Sequence, residues 1–130
     1  MFDANHTEKI AIELVTRDYF QGYLNAEPET LLKAFHSGSR LFCTDQGNLE
    51  TTEMAEWLQS LVERRKKGDR RQANVSIDGI DISSDAAVVK TTLILKTVRF
   101  TDYLSLLKLN GKWQIVNKIY TVQNFEGDTK

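Results

Sequence analysis

Near residue 71 the hydrophobic period of this chain changes, once, from that of helices to that of strands. Downstream, RQANVSIDGIDI (71–82), AAVVKTTLILKTV (86–98), RFTDYLSLLKL (99–109) and KWQIVNKIYTV (112–122) largely alternate apolar and polar residues and read as four strands. Asp78-Gly79 reads as a bulge, Ser83-Ser84-Asp85 as a turn and Asn110-Gly111 as a tight hairpin. Helices first and strands afterwards predict an α+β fold with a mainly antiparallel sheet, rather than alternating βαβ units. A four-stranded meander after three helices implies a curved sheet wrapped around them.

The upstream half supplies those helices. The first starts at Asn5, with Glu8 three residues on as a capping-box variant, and carries Ile12, Val15, Tyr19 and Tyr23 at helical spacing, widened by Leu14 and Phe20. Glu27 and Pro28 open a short second helix with Leu31, Leu32 and Phe35 as its buried stripe; Ser37-Gly38-Ser39 ends it. LFCT (41–44) is a short strand and DQGN (45–48) a turn. Thr52 caps a third helix, whose Met54, Trp57, Leu58, Leu61 and Val62 give the cleanest amphipathic signal of the chain. Arg64 to Lys67 complement its dipole, and Gly68 stops it.

Composition mainly excludes. The 130 residues read as one domain, 1–130. Seventeen basic against 18 acidic residues create no global field to recruit nucleic acid or an anionic membrane. The run RRKKGDRR (64–71) reads as a solvated helix end, with no interleaved aromatics to suggest a nucleic-acid surface. Cys43 is the only cysteine, which fits a reducing compartment. With no signal-peptide pattern and no apolar run of membrane-spanning length, the expected location is cytoplasmic. The two histidines, His6 and His36, lack a carboxylate at ligand spacing, so no metal and no cofactor is expected.

The order of elements, with TRDYFQGYLNAEPETLLKAFHSGSRL at one end and FTDYLSLLKLNGKWQIVNKIY at the other, resembles the nuclear transport factor 2-like superfamily. AFH followed by DYLSLL…NGKWQIVNK is most similar to its branch of uncharacterised bacterial proteins described as "putative lumazine-binding" or polyketide-cyclase-like. The resemblance covers about residues 5 to 123. It implies a cone-shaped half-barrel with a pocket between sheet and helices, and a homodimer through the outer sheet face. It also implies that Tyr19 occupies the place of the helix-one tyrosine of ketosteroid isomerases. The general-base and oxyanion-hole aspartates of those enzymes fall at Cys43 and Ser105. Neither side chain can move a proton as a carboxylate does, so steroid isomerisation is not expected.

Which strand residues face the pocket depends on the Asn110-Gly111 hairpin. A two-residue turn pairs Leu109 with Lys112; a three-residue loop pairs Lys108 with Lys112. The second is adopted, because it agrees with the family geometry. It places Tyr103, Ser105 and Leu107 on the concave face with Trp113, Ile115, Asn117 and Ile119. Asp102, Leu104, Leu106, Val116, Lys118 and Tyr120 then face outward. A slip of one residue would invert every assignment and make Asp102 the leading acid or base.

The candidate ligand-binding residues are thus Tyr19, Tyr23, His36, Trp57, Tyr103, Ser105 and Asn117; no catalytic residue is assigned. Each has a plainer alternative: Tyr19, Tyr23 and Trp57 as core aromatics, His36 as a helix C-cap, and the strand polar groups as partners of one another. The leading expectation is a binding protein for a small hydrophobic or aromatic molecule in a mostly apolar pocket. One alternative is a cofactor-independent isomerase, cyclase or dehydratase, with His36 or Asp102 as base and Tyr19 as donor. The other is a dimeric assembly module working through Leu104, Leu106, Val116 and Tyr120.

Overall fold

A computed structural model of the chain describes residues 4–125. In chain order the elements are helix α1 (Ala4–Leu24), helix α2 (Pro28–Ala34), strands β1 (Phe35–Asp45) and β2 (Asn48–Glu53), helix α3 (Met54–Lys66), and strands β3 (Asn74–Ser83), β4 (Ala86–Ile94), β5 (Val98–Leu109) and β6 (Lys112–Asn124). The six strands form one curved, unclosed sheet in the order β2-β1-β6-β5-β4-β3. Only the β1–β6 pairing is parallel. The expected α+β fold is what the chain adopts.

The helices form for the reasons their sequences suggest, with shifted ends. In α1, Ile12, Thr16, Tyr19 and Phe20 are buried at spacings of four, seven and eight. The Thr16 hydroxyl satisfies itself by donating to the Ile12 carbonyl at 2.9 Å. Leu14, at 62% exposure, lies outside the apolar face assigned to it. Glu8 accepts from Trp113 Nε1 at 2.7 Å and Lys108 Nζ at 3.0 Å, tying α1 to the β5–β6 hairpin. Gly22 is needed because α1 and α2 touch there. A Cβ at this position would meet the Leu31 backbone nitrogen at 2.7 Å.

Pro28 opens α2 as expected, but the helix stops at Ala34, so Phe35 and His36 already belong to β1. Leu32 points to solvent at 42% exposure. The segment read as a turn and helix cap contains a whole strand, β2, paired antiparallel to β1 from Asp45↔Asn48 to Arg40↔Glu53. Glu53, rather than Thr52, is the N-cap of α3, in a reciprocal capping box with Glu56.

The β5–β6 ribbon decides which residues face the helices. Asn110 (φ 51°) and Gly111 (φ 81°) make a two-residue turn, and Leu109 pairs with Lys112. The three-residue loop adopted from sequence is therefore incorrect. The register then shifts by one: Leu106 pairs with Ile115 but Ser105 pairs with Asn117, leaving Val116 as an extra residue on β6. Before this bulge Trp113 and Ile115 point inward; after it Lys118 does. On β5, Asp102, Leu104 and Leu106 are all buried. The inward face is thus Asp102, Leu104, Leu106, Trp113, Ile115, Lys118 and Tyr120, and Tyr103, Ser105, Leu107, Asn117 and Ile119 lie on the other. The anticipated bulge at Asp78, between Ile77 and Gly79, is present.

Candidate functional site

Four elements converge on one patch inside the curve of the sheet. From α1 comes Tyr19 (1% exposed), from β5 Asp102 (0%), from β6 Lys118 (6%) and from α3 Trp57 (8%). The register of β4 with β5 sets Thr91 opposite Asp102, and the register of β5 with β6 sets Leu104 opposite Lys118. A buried lysine and a buried carboxylate thereby share one face of adjacent strands.

Tyr19 lies between them. Its hydroxyl donates to Asp102 Oδ2 and accepts from Lys118 Nζ at 2.9 Å. Thr91 Oγ1 donates to the same Oδ2 at 3.1 Å. Asp102 Oδ1 is buried without a hydrogen-bond partner among the described residues. Lys118 Nζ lies within an aromatic box, 4.6 Å from the Trp57 ring centroid, 4.8 Å from Tyr19 and 4.9 Å from Tyr120. Such ring faces offset part of the cost of burying an ammonium.

Protonation follows from this burial. Desolvation pushes Lys118 below its ordinary range, opposed by the attraction of Asp102 and Cys43. Burial, reinforced by the charge and hydrogen bond of Asp102, pushes the Tyr19 phenol well up. Tyr120 is raised as well, chiefly by burial and then by its hydrogen bond with Cys43. These shifts all favour the uncharged forms.

Beside this group is a cavity of about 190 Å³, walled by Tyr19, Tyr23, Leu41, Thr52, Trp57, Phe100, Lys118 and Tyr120. Drug-sized ligands need pockets of roughly 300–1,000 Å³, so the space is no larger than a single ring or short chain requires. A wider groove of about 740 Å³ runs past Arg17, Leu24, Arg71 and Leu95. It is shallow and open and has no buried ionisable group, so its size does not make it the better site.

Of the seven residues singled out from sequence, Tyr19, Tyr23 and Trp57 line the cavity. Tyr103 is 40% exposed on the opposite sheet face, and Ser105 and Asn117 pair with each other on that face. The two-residue turn is the physical reason for Tyr103 and Ser105, and the bulge at Val116 for Asn117. His36 is exposed on β1, where its Nδ1 accepts from the Gly38 N–H at 3.0 Å, so it is neither a helix cap nor a wall of the cavity. Lys118 was missed as a site residue, and Asp102 was expected to face outward. A lysine and an aspartate set among apolar neighbours in adjoining strands was the available signal. Leu104, Leu106 and Tyr120, expected on an outer interface, are inside. Among the described residues no group of three potential metal ligands comes together, and no helix is long and apolar enough to cross a membrane.

Arg64 also departs from the solvated face expected of the basic run. It is 8% exposed and donates to the carbonyls of Tyr23 (2.6 Å), Leu24 (3.1 Å) and Asp69 (3.2 Å). It closes the C-terminal end of α1, as cations near helix C-termini do.

The model of the family described as "Putative lumazine-binding" matches residues 7–121. The chain belongs to that family. Among solved structures, this family member is similar to a nuclear transport factor 2-like protein of unknown function from Shewanella baltica, with a TM-score of 0.82, 27% identity, and coverage of 94% of this chain and 98% of that one. A second such protein of unknown function, from Silicibacter pomeroyi, gives a TM-score of 0.81 at 17% identity, covering 93% and 100% of the two chains. A ketosteroid isomerase-like protein from Erwinia carotovora shares the fold at a TM-score of 0.65 and 13% identity, over 85% of this chain and 92% of that one. One curated relative, the aldolase FrzH of a Cladobotryum species, is 39% identical over 46 residues. That match spans 34% of this chain and only 37% of the relative.

Proposed function

We propose that this family member binds a small aromatic or short-chain molecule in the cavity beside Lys118, with an oxygen of the ligand meeting the Lys118 ammonium and the Tyr19 hydroxyl. The observation that carries this reading is the buried Lys118–Tyr19–Asp102 group at the edge of an aromatic-walled space. Burying two ionisable groups is costly, and a core built only for stability does as well with apolar side chains. The partial likeness to an aldolase puts small carbonyl compounds beside aromatic acids and pteridines on the panel of candidates.

Thermal shift tests it. A ligand at one hundred times its Kd adds about 2.7 kcal/mol to folding stability, an easily read rise in melting temperature. The rise is expected for wild type and is expected to shrink in Tyr19→Phe. No response across the panel, or an equal response in the variant, counts against the site.

A second reading, a cofactor-independent enzyme of the isomerase, cyclase or dehydratase type, is favoured by the inward position of Asp102. A carboxylate reached through a tyrosine is a proton acceptor screened from water. The outer sheet face offers a separate role. Val88, Tyr103, Leu107 and Ile119 are 40–49% exposed there, and this face is proposed to pair two copies of the chain. Light scattering at micromolar concentration tests it, a monomer being the contrary result.

A further inference from the structure

The chain Lys118 Nζ–H to Tyr19 Oη–H to Asp102 Oδ2 has a property that neither simple binding nor a lone aspartate base requires. Moving one proton along each link turns ammonium, phenol and carboxylate into amine, phenol and carboxylic acid. Net charge does not change and no water takes part. Tyr19 accepts one proton as it gives up another, and so stays a phenol throughout. Burial disfavours the ammonium form of Lys118 and holds Tyr19 as a phenol. In that arrangement the lysine carries a free lone pair and faces a cavity large enough for a small molecule.

We propose that Lys118 is an imine-forming lysine and that the cavity takes small aldehydes or ketones. This rests on the cavity being a ligand site. The Nζ lone pair attacks the carbonyl carbon and forms a C–N bond, while the C=O π pair moves to oxygen. That oxygen takes the Tyr19 proton, and Asp102 returns one to Tyr19. Nitrogen passes a proton through Tyr19 back to Asp102, and the hydroxyl of the carbinolamine takes that proton through the same relay and leaves as water. The sum is amine plus carbonyl giving imine plus one water, with no oxidant or reductant. Proton exchange with the relay leaves the nitrogen cationic, a sink for the electron pair of an adjacent C–H or C–C bond. Asp102 Oδ1, buried without a hydrogen-bond partner among the described residues, keeps an acceptor position beside the relay. The Trp57, Tyr19 and Tyr120 rings, all within 5 Å of Nζ, give the resulting cation a favourable enclosure.

The test uses the full chain, benzaldehyde as the carbonyl probe, and benzyl alcohol as a probe of similar shape that cannot form an imine. Sodium cyanoborohydride fixes any imine as a stable amine, and peptide mapping locates it. The expected result is an adduct on Lys118, formed ahead of those on exposed lysines such as Lys33 and Lys90. Tyr19→Phe is expected to slow labelling of Lys118 by about a hundredfold, the lower range for losing a positioned acid–base group. Because this variant keeps the lysine and the ring, it serves even if Lys118→Met does not fold. If benzyl alcohol raises the melting temperature but benzaldehyde is fixed only on exposed lysines, imine formation is overturned and the ligand site stands. If neither probe acts on the cavity, both fail.

Discussion

The two ends of the β5–β6 ribbon use the same two strands and the same inward face to opposite effect. Toward the hairpin, Leu106, Trp113 and Ile115 pack as ordinary core, all at 2% exposure or less. Past Val116, the face presents Asp102, Lys118 and Tyr120, and a cavity opens beside them. One extra residue divides a close-packed wall from one that carries charge. The core side draws on packing complementarity; the site side spends stability on groups that an apolar core would do without.

The strongest way to break this division is to insert one residue between Ser105 and Leu106, opposite Val116. The unbroken register that results forces either Leu106, Trp113 and Ile115 or Asp102, Lys118 and Tyr120 to the outer face. The expected loss exceeds about 5 kcal/mol, the lower end of a typical domain's whole stability, so circular dichroism should show no cooperative melt. Next in size is Asp102→Leu, which leaves Lys118 buried without its counter-charge. A loss of about 3–5 kcal/mol is expected by urea denaturation. Adding Lys118→Met should recover most of it, and a double variant no better than the single one would show that the pair is not coupled.

A smaller, directional effect comes from pH. The unfolded chain holds the Lys118 proton up to about pH 10.4, while the folded chain releases it earlier. Between those points the unfolded state binds more protons, so the contribution of this group rises with pH. Tyr19 acts in reverse above about pH 10, where the unfolded phenol ionises and the folded one does not. Tyr120 adds to that reversal. Relative to Lys118→Met, the wild-type urea midpoint should climb from neutrality toward about pH 10 and then level off, while the tyrosines turn both proteins downward above that pH. A flat difference would mean that Lys118 is not perturbed by burial. The smallest effect belongs to the outer face. Tyr103→Ser should change the stability of the monomer by no more than about 0.5 kcal/mol, in contrast to any change at Tyr19.

Much of the fold could be read from residue patterns, because local rules specify it. Pro28 opens α2, the stripe from Met54 to Leu61 makes α3, and Asp78 bulges where glycine follows it. Strand β2 could not be read, since NLETTE has almost no apolar alternation and is a strand through its pairing with β1. The parallel β1–β6 pairing joins segments more than 70 residues apart and leaves no local trace. Half of the site was legible: Tyr19, Tyr23 and Trp57 repeat at helical spacing. The strand half was inverted, because Asn110-Gly111 fits a two- or a three-residue loop, and because Val116 resembles its neighbours and nothing in its chemistry announces a bulge. The position of Arg64 was hidden for a similar reason, its role being set by carbonyls some forty residues away.

That arginine has a consequence for the cavity. By donating to the carbonyls of Tyr23 and Leu24, Arg64 fastens the end of α3 to the end of α1, while Arg71 donates to the Tyr23 hydroxyl at 3.0 Å. The two helices that bring Tyr19, Tyr23 and Trp57 to the cavity are joined before any ligand arrives. Their rings are stiff and already packed together, with centroids 6.1–6.4 Å apart. An incoming molecule therefore has few rotamers to freeze, and even the small contact area of a single ring can be converted into occupancy with little entropic loss.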